Sequence, residues 1–192
     1  MSTPVTPAIE PLREILATLE RAGLPHAIGA SGLLMALGLV DQVNDWDVTV
    51  EADVESLAAT VSGRAFTRHG NSGGHADHKL TFDAEKVELI ARFAFFVPGG
   101  VVRIPTVVTG TWNGLPIGSP AAWAAAYAIM AEQENDARRA ERADLLFEWL
   151  EHSGARDPAL DLILAEPLPP AISERLQAIS ALRPRSPSAR HH

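Results

Sequence analysis

The stretch that decides the fold is residues 43–50, VNDWDVTV, in which two carboxylates open an apolar, β-branched run. β-Branched residues favour strands, so the stretch predicts a strand with Asp45 and Asp47 at its start. Successive side chains in a strand point to opposite faces, which puts Asp45 and Asp47 on one face and Trp46 on the other. Two adjacent anions repel each other unless a cation lies between them. The stretch therefore indicates either a metal site or the polar edge of a strand.

The composition is that of an ordinary globular protein with one domain, or one domain and a helical appendage. The 192 residues are 46% hydrophobic and 21% charged, with a formal net charge of -8. This negative charge disfavours broad nucleic-acid binding, although a local basic patch stays open. The chain has no cysteine, which excludes disulfides and thiolate metal sites, and no apolar run approaches the ~20 residues of a membrane span. We expect a cytoplasmic protein that does not enter the membrane.

The pattern of elements changes along the chain from mixed helices and strands to helices alone. Ser119-Pro120 is typical of a helix start, because serine caps the first turn and proline fits within it. We therefore expect a mixed α/β domain over residues 1–117 and a helical domain over residues 118–183. Residues 184–192 are rich in Pro, Ser, Arg and His, which predicts a disordered tail or a tag remnant.

Two further features carry possible chemistry. Gly29-Ala30-Ser31 lies at a predicted strand-to-helix junction, where backbone N–H groups and the helix dipole favour a phosphate. A tight turn with a serine cap is the alternative. Glu88 is a lone acid within the apolar strand pattern KVELIARF, and a buried carboxylate is costly unless it is paired or binds a metal. Alternatively, Glu88 faces solvent and pairs with Lys79 or Lys86 across the hairpin.

Together these features resemble the motifs of the nucleotidyltransferase superfamily with the DNA-polymerase-β-like fold. The shared order is a small-residue turn, a helix, an Asp-x-Asp strand and a single acid on a later strand, over about residues 24–95. The helix start at residues 118–123, GSPAAW, is also similar to small bacterial members. Two departures are the splitting of the usual Gly-Ser pair by Ala30 and the lack of a lysine in the first C-terminal helix.

The resemblance implies an α/β (α+β) fold, with a nucleotidyltransferase-type mixed sheet flanked by helices and followed by a small helical bundle. It implies transfer of NMP from an NTP to an acceptor hydroxyl, on a small molecule such as an antibiotic or on a protein or tRNA end. Asp45, Asp47 and Glu88 would bind two Mg²⁺ ions and carry catalysis, while Gly29 and Ser31 would hold the β- and γ-phosphates. Two metals can stabilise both the attacking and the leaving oxygen of such a transfer.

Two other hypotheses stay open at this point. The chain could be a binding or regulatory module that keeps the fold without turnover, because fold alone does not establish function. It could also be an unrelated α/β protein in which the three acids are scattered.

Two polar stretches have less specific patterns. Residues 69–78 contain three histidines, and we interpret them as a loop over the active-site face, because His75-x-x-His78 lacks the further ligands of a zinc site. Arg138, Arg139 and Arg142 alternate with glutamates, which is typical of a solvated helical face.

Overall fold

The computed structural model describes residues 6–70, 74–154 and 156–182, so the predicted tail at 184–192 lies outside the described residues. The helices are α1 (Glu10–Arg21), α2 (Ala30–Ala36), α3 (Val54–Thr60), α4 (Pro120–Glu134), α5 (Ala137–Ser153), α6 (Leu160–Leu164) and α7 (Pro170–Ala181). The strands are β1 (His26–Ile28), β2 (Trp46–Val50), β3 (Thr67–His69), β4 (His78–Phe82), β5 (Val87–Ala91), β6 (Ala94–Val97), β7 (Gly100–Arg103), β8 (Gly110–Trp112) and β9 (Leu115–Ile117). Among the described residues, no helix combines the length and apolarity that crossing a bilayer requires.

Seven strands form one mixed sheet in the order β3-β4-β5-β2-β1-β9-β8, and β6 and β7 form a separate hairpin. Strand β2 runs parallel to β5 and antiparallel to β1, which places it at the centre of the sheet. The residues Val48, Thr49 and Val50 are buried there because side chains pack on both faces of the central strands. The predicted fold class, a mixed sheet with flanking helices followed by a helical part, is confirmed.

Helices cover the two faces of the sheet and create two hydrophobic clusters. Helix α1 buries Leu12, Ile15, Leu16 and Leu19, which lie on one face because of their helical spacing. These residues belong to a cluster that also contains Trp46. The second cluster contains buried residues of α2 and of the C-terminal helices. These residues pack with Phe93, just before β6, and with Phe95 on β6. Because α4 shares this second cluster with α2, the helical half rests directly on the sheet half. The predicted domain division after residue 117 stays a prediction.

The start of α4 is held by a buried capping network. Ser119 caps the helix by accepting the N–H of Ala122 at 2.9 Å, and its hydroxyl donates to the Asp157 carboxylate at 2.8 Å. The same carboxylate accepts the N–H of Ala121 at 2.8 Å and that of Ala159 at 2.9 Å. A capping side chain satisfies helix N–H groups that have no partner within the helix. Asp157 therefore joins the segment before α6 to the first turn of α4.

A second contact between the two halves lies at Gly29, the residue before α2. Its N–H donates to the carbonyl oxygen of Asp47 at 2.8 Å, which ties the turn to β2. The indole of Trp123, on α4, covers Gly29 so closely that a Cβ there would overlap the ring. Gly29 rather than Ser31 is the N-cap of α2, and no side chain caps this helix. Glycine is therefore needed here for packing against Trp123, whether or not the turn contacts a phosphate.

We predict that Gly29→Ala destabilises the protein by about 2 kcal/mol, because the added methyl forces Trp123 out of its position. Gly63→Ala is the matched control, since a Cβ at Gly63 meets no atom within 4 Å. The control should stay within about 0.5 kcal/mol of wild type. Urea unfolding measures both changes, and equal losses in the two variants would contradict the packing role.

Candidate active site

The three acids predicted from the sequence, Asp45, Asp47 and Glu88, line one cavity of about 280 Å³. The cavity lies where β2, β4 and β5 meet α4 and α5. The structure therefore brings these acids together, which speaks against an unrelated protein with scattered carboxylates. Their catalytic and metal-binding roles stay predictions.

Strand pairing explains why Asp47 and Glu88 are neighbours. In the parallel register of β2 and β5, Asp47 lies directly beside Glu88. Paired residues on adjacent strands project from the same face, and the strands are about 4.8 Å apart. Asp45 lies just before β2 and is exposed, whereas Asp47 and Glu88 are half-buried. Trp46 points away into the core and is 1% exposed, as the alternation of the strand predicts.

The environment of Asp47 opposes its negative charge. Burial first, and then the nearby carboxylates of Asp45 and Glu88, raise the pKa of Asp47 to about 7. The cations Lys79 and Arg142 act in the opposite direction but do not compensate. A cation bound beside Asp47 would relieve this repulsion.

Lys79 reaches the cavity from β4 and pairs with Glu88. Its Nζ donates to Oε1 of Glu88 at 2.8 Å, so the pairing considered from the sequence is present, with Lys79 rather than Lys86 as the partner. Burial alone would lower the pKa of Lys79, but the carboxylates of Glu88, Asp47 and Asp77 together outweigh it, and the pKa lies above the ordinary lysine value. Lys79 is therefore a charged ammonium at neutral pH. Glu88 is thus paired with a lysine across the hairpin and also lies beside Asp47 in the cavity.

Three arginines of α5 supply positive charge on the other side of the cavity. Arg138, Arg139 and Arg142 all line it, so the helical face that the sequence predicted to be solvated, on which Arg138 is exposed, borders the cavity. Arg142 is oriented by Tyr127 on α4, since its Nη1 donates to the phenol oxygen at 3.2 Å and its guanidinium lies 5.6 Å from the ring centroid. Arg139 pairs with Glu134 at 3.0 Å.

These arginines could have been found from the sequence by treating α4 and α5 as one helical hairpin. The break at Asn135 and Asp136 lets α5 fold back on α4. Positions at similar distances from such a break face each other, which brings Tyr127 opposite Arg142.

The Gly29-Ala30-Ser31 turn contributes less to the cavity than its motif suggests. Of the three residues, Ala30 lines the cavity, in a left-handed conformation with φ of 45°. The amide of Gly29 is already bonded to Asp47, and Ser31 is only 3% exposed. The assignment of phosphate contacts to Gly29 and Ser31 stays a prediction.

A second cavity of about 530 Å³ adjoins the first and shares His75, Lys79 and Glu88 with it. His75 is not on a free loop, because it forms a β-bridge with Phe95, and its Nδ1 lies 3.2 Å from Oδ2 of the buried Asp77. Residues 71–73 of the histidine-rich stretch lie outside the described residues.

The donor set decides which ion this site suits. Within the described ranges, no group of three His, Asp or Glu side chains is arranged to hold one metal ion. Mg²⁺, however, binds through one or two carboxylates together with substrate phosphates and water. Asp45 and Asp47 offer oxygen ligands of this kind beside an unrelieved negative charge. The residues therefore fit a Mg²⁺ ion that enters with a phosphate-bearing substrate.

Two solved structures match the chain over most of its length. The solution structure of the antibiotic-resistance factor ANT(2'')-Ia has a TM-score of 0.52 and 17% identity, covering 91% of this chain and 89% of that one. The crystal structure of ANT(2")-Ia in complex with adenylyl-2"-tobramycin has a TM-score of 0.55 and 16% identity, covering 91% and 97%. The chain has a nucleotidyltransferase-type fold. No known protein family and no curated protein matches its sequence.

The resemblance read from the motifs is thus confirmed at the level of the fold. At 16% and 17% identity the likeness reaches no further than that. The chemistry of this protein depends on the side chains of the cavity and not on the fold alone.

We predict that Asp47→Asn stabilises the metal-free protein at pH 8. Because the pKa of Asp47 is about 7 in the folded state and 3.8 in the reference state, the folded protein holds a proton that the unfolded chain releases between these values. The free energy of unfolding of wild type therefore falls as pH rises from about 4 to about 7. This difference in pKa corresponds to roughly 4 kcal/mol, which Asp47→Asn would recover at pH 8 and not at pH 4.

Urea unfolding in EDTA across this pH range measures the difference. Asp161→Asn is the control, because the side chain of Asp161 is largely exposed. The free energy of unfolding of this variant should follow that of wild type at every pH. A gain in Asp47→Asn that does not change with pH would contradict the assignment.

Proposed function

We propose that this protein is a Mg²⁺-dependent nucleotidyltransferase that moves NMP from an NTP to an acceptor hydroxyl. The observation that carries the proposal is the charge arrangement of one cavity, with Asp45, Asp47 and Glu88 on the sheet side and three arginines on α5. A Mg–NTP complex offers a cation to the first set and a polyanion to the second. The nucleotidyltransferase-type fold supports the same conclusion.

The carboxylate side of the cavity would hold the metal. Asp45 and Asp47 share a face of the β2 segment, and both would ligate the ion through oxygen. A bound Mg²⁺ would neutralise phosphate charge and fix the geometry of the transferring group. Glu88, beside Asp47 in the sheet, is the proposed group next to the attacking hydroxyl.

The arginine side would hold the triphosphate. Arg142 is preorganised by its hydrogen bond and ring contact with Tyr127, so little side-chain freedom is lost on binding. Guanidinium groups bind phosphate oxygens in a fork that a lysine cannot offer. The Gly29–Ser31 turn stays the proposed contact of the β- and γ-phosphates, because Ala30 at its centre reaches the cavity.

The second cavity is the proposed acceptor site. It joins the first at Lys79 and Glu88, so an acceptor hydroxyl lying there would approach a nucleotide held between β2 and α5. ANT(2")-Ia was crystallised with adenylyl-2"-tobramycin, which supports a small-molecule acceptor such as an antibiotic. The net charge of -8 suits a cationic acceptor, while a protein or tRNA end is the alternative acceptor.

We predict that at least one NTP raises the Tm in the presence of Mg²⁺ and much less in EDTA. A ligand at a hundred times its Kd stabilises the folded state by about 2.7 kcal/mol. The double variant Asp45→Asn with Asp47→Asn should lose the shift, because it lacks the metal ligands. Thermal denaturation with ATP, GTP, CTP and UTP makes the measurement, and no Mg²⁺-dependent shift in wild type would contradict the proposal.

Pyrophosphate release then separates an enzyme from a binding module. Acceptors to be tested are aminoglycosides, bulk tRNA and the protein itself, each with the NTP that binds. Release that stops in Asp47→Asn supports transfer. Binding without release from any acceptor class would favour a regulatory module.

We predict that Arg142→Gln weakens Mg–NTP binding by at least tenfold, because charge-assisted hydrogen bonds contribute about 1.5–3 kcal/mol. Arg142→Lys keeps the charge but not the fork, and its loss should be smaller. Arg156→Gln is the control, since Arg156 is exposed and pairs only weakly with Asp161 at 3.5 Å. Calorimetric titration measures all three, and equal affinities for wild type and Arg142→Gln would place the triphosphate elsewhere.

A further inference from the structure

The Lys79–Glu88 ion pair lies where the two cavities meet, and both residues line both cavities. Besides the 2.8 Å contact from Lys79 to Oε1, the other carboxylate oxygen of Glu88 lies 3.5 Å from Oγ1 of Thr81. The side chains of Lys79 and Glu88 are 27% and 21% exposed. Both oxygens of Glu88 therefore already face donors of the protein.

The sheet fixes this arrangement. In the antiparallel register of β4 and β5, Thr81 lies opposite Glu88, and Lys79 is two residues from Thr81 on the same strand. Residues two apart share a face, so Lys79 and Glu88 project into the same space. On the other side of β5, Asp47 is paired with Glu88. The ammonium group is thus built into the same row of side chains as the acids.

This placement separates Glu88 from the other two acids as a metal ligand. A divalent ion shared by Asp47 and Glu88 would lie close to the Lys79 ammonium and would be repelled by it. Lys79 and Arg142 also act on the charge of Asp47, but among the described residues neither Asp45 nor Asp47 forms a short ion pair like that of Lys79 with Glu88. The absence of a three-ligand group among the described residues agrees with this separation.

We propose that Lys79 occupies the place of a second divalent ion beside Glu88, so that this chain binds one divalent ion, at Asp45 and Asp47, together with its nucleotide. The inference rests on the proposed function and revises the two-ion expectation drawn from the motifs. The Lys79 ammonium neutralises Glu88 permanently and presents N–H donors to the acceptor side. One ion then remains to accompany the triphosphate.

The test counts Mn²⁺ ions by electron paramagnetic resonance, with the full chain in excess over the α,β-methylene analogue of each NTP. Under these conditions the nucleotide that binds is almost all protein-bound. Wild type should take up one Mn²⁺ per bound nucleotide, with the six-line signal of an isolated ion. Lys79→Met should bind a second Mn²⁺ at least tenfold more tightly than wild type, with the spin-coupled signal of two ions about 4 Å apart.

Two matched variants control for charge and folding. Lys86→Met removes the lysine of the β4–β5 turn and should behave as wild type. Lys79→Arg keeps a cation at the same position and should bind one Mn²⁺ per nucleotide. Two Mn²⁺ ions in this variant would contradict the proposal even if Lys79→Met does not fold.

The outcomes separate this inference from the proposed function. Two coupled ions in wild type would overturn the inference and leave nucleotidyl transfer intact. A count of one in both wild type and Lys79→Met would also overturn it, because Lys79 would not be the group that excludes the second ion. No Mn²⁺-dependent nucleotide binding in wild type would contradict the proposed function and this inference with it.

Discussion

The parallel pairing of β2 and β5 places Asp47 directly beside Glu88, and the geometry of the site depends on this register. A slip of one residue would turn one of the two carboxylates into the core and bring an apolar side chain into the cavity. The register is secured by burial, because Val48, Val50 and Leu89 are fully buried in their observed positions. The same hydrophobic pattern that stabilises the sheet therefore holds two like charges together, and the raised pKa of Asp47 is the consequence.

The helical half completes the site because it is attached to the sheet at fixed points. Asp157 and Ser119 hold the start of α4, and Trp123 packs on Gly29 beside the first acid-bearing strand. From this anchored helix Tyr127 orients Arg142 towards the carboxylates. The opposing charges on the two sides of the cavity are thus joined by packing rather than by direct ion pairs. A triphosphate with its metal would fit between them.

Strand alternation predicted that Asp45 and Asp47 share a face, whereas the resemblance implied that Glu88 joins them. Asp45, Asp47 and Glu88 were expected to meet, and the pleat and register bring them to one cavity. The turn at Ser31 was harder, since Gly29 rather than Ser31 is the N-cap of α2, and it lies against Trp123, more than ninety residues away. The place of Arg142 at the cavity was not predicted, because helical periodicity within α5 does not reveal what the neighbouring helix offers. The Lys79–Glu88 pair, by contrast, lies across one hairpin and was among the partners that the sequence offered.

The central claim is that Mg–NTP binds between the β2 carboxylates and the α5 arginines. A crystal structure of the protein with Mn²⁺ and a non-hydrolysable NTP analogue tests it most directly, because anomalous scattering locates the metal independently of the coordinates. We expect Mn²⁺ at Asp45 and Asp47, with the triphosphate extending towards Arg142. Nucleotide bound outside this cavity, or Mn²⁺ that contacts neither aspartate, would contradict it.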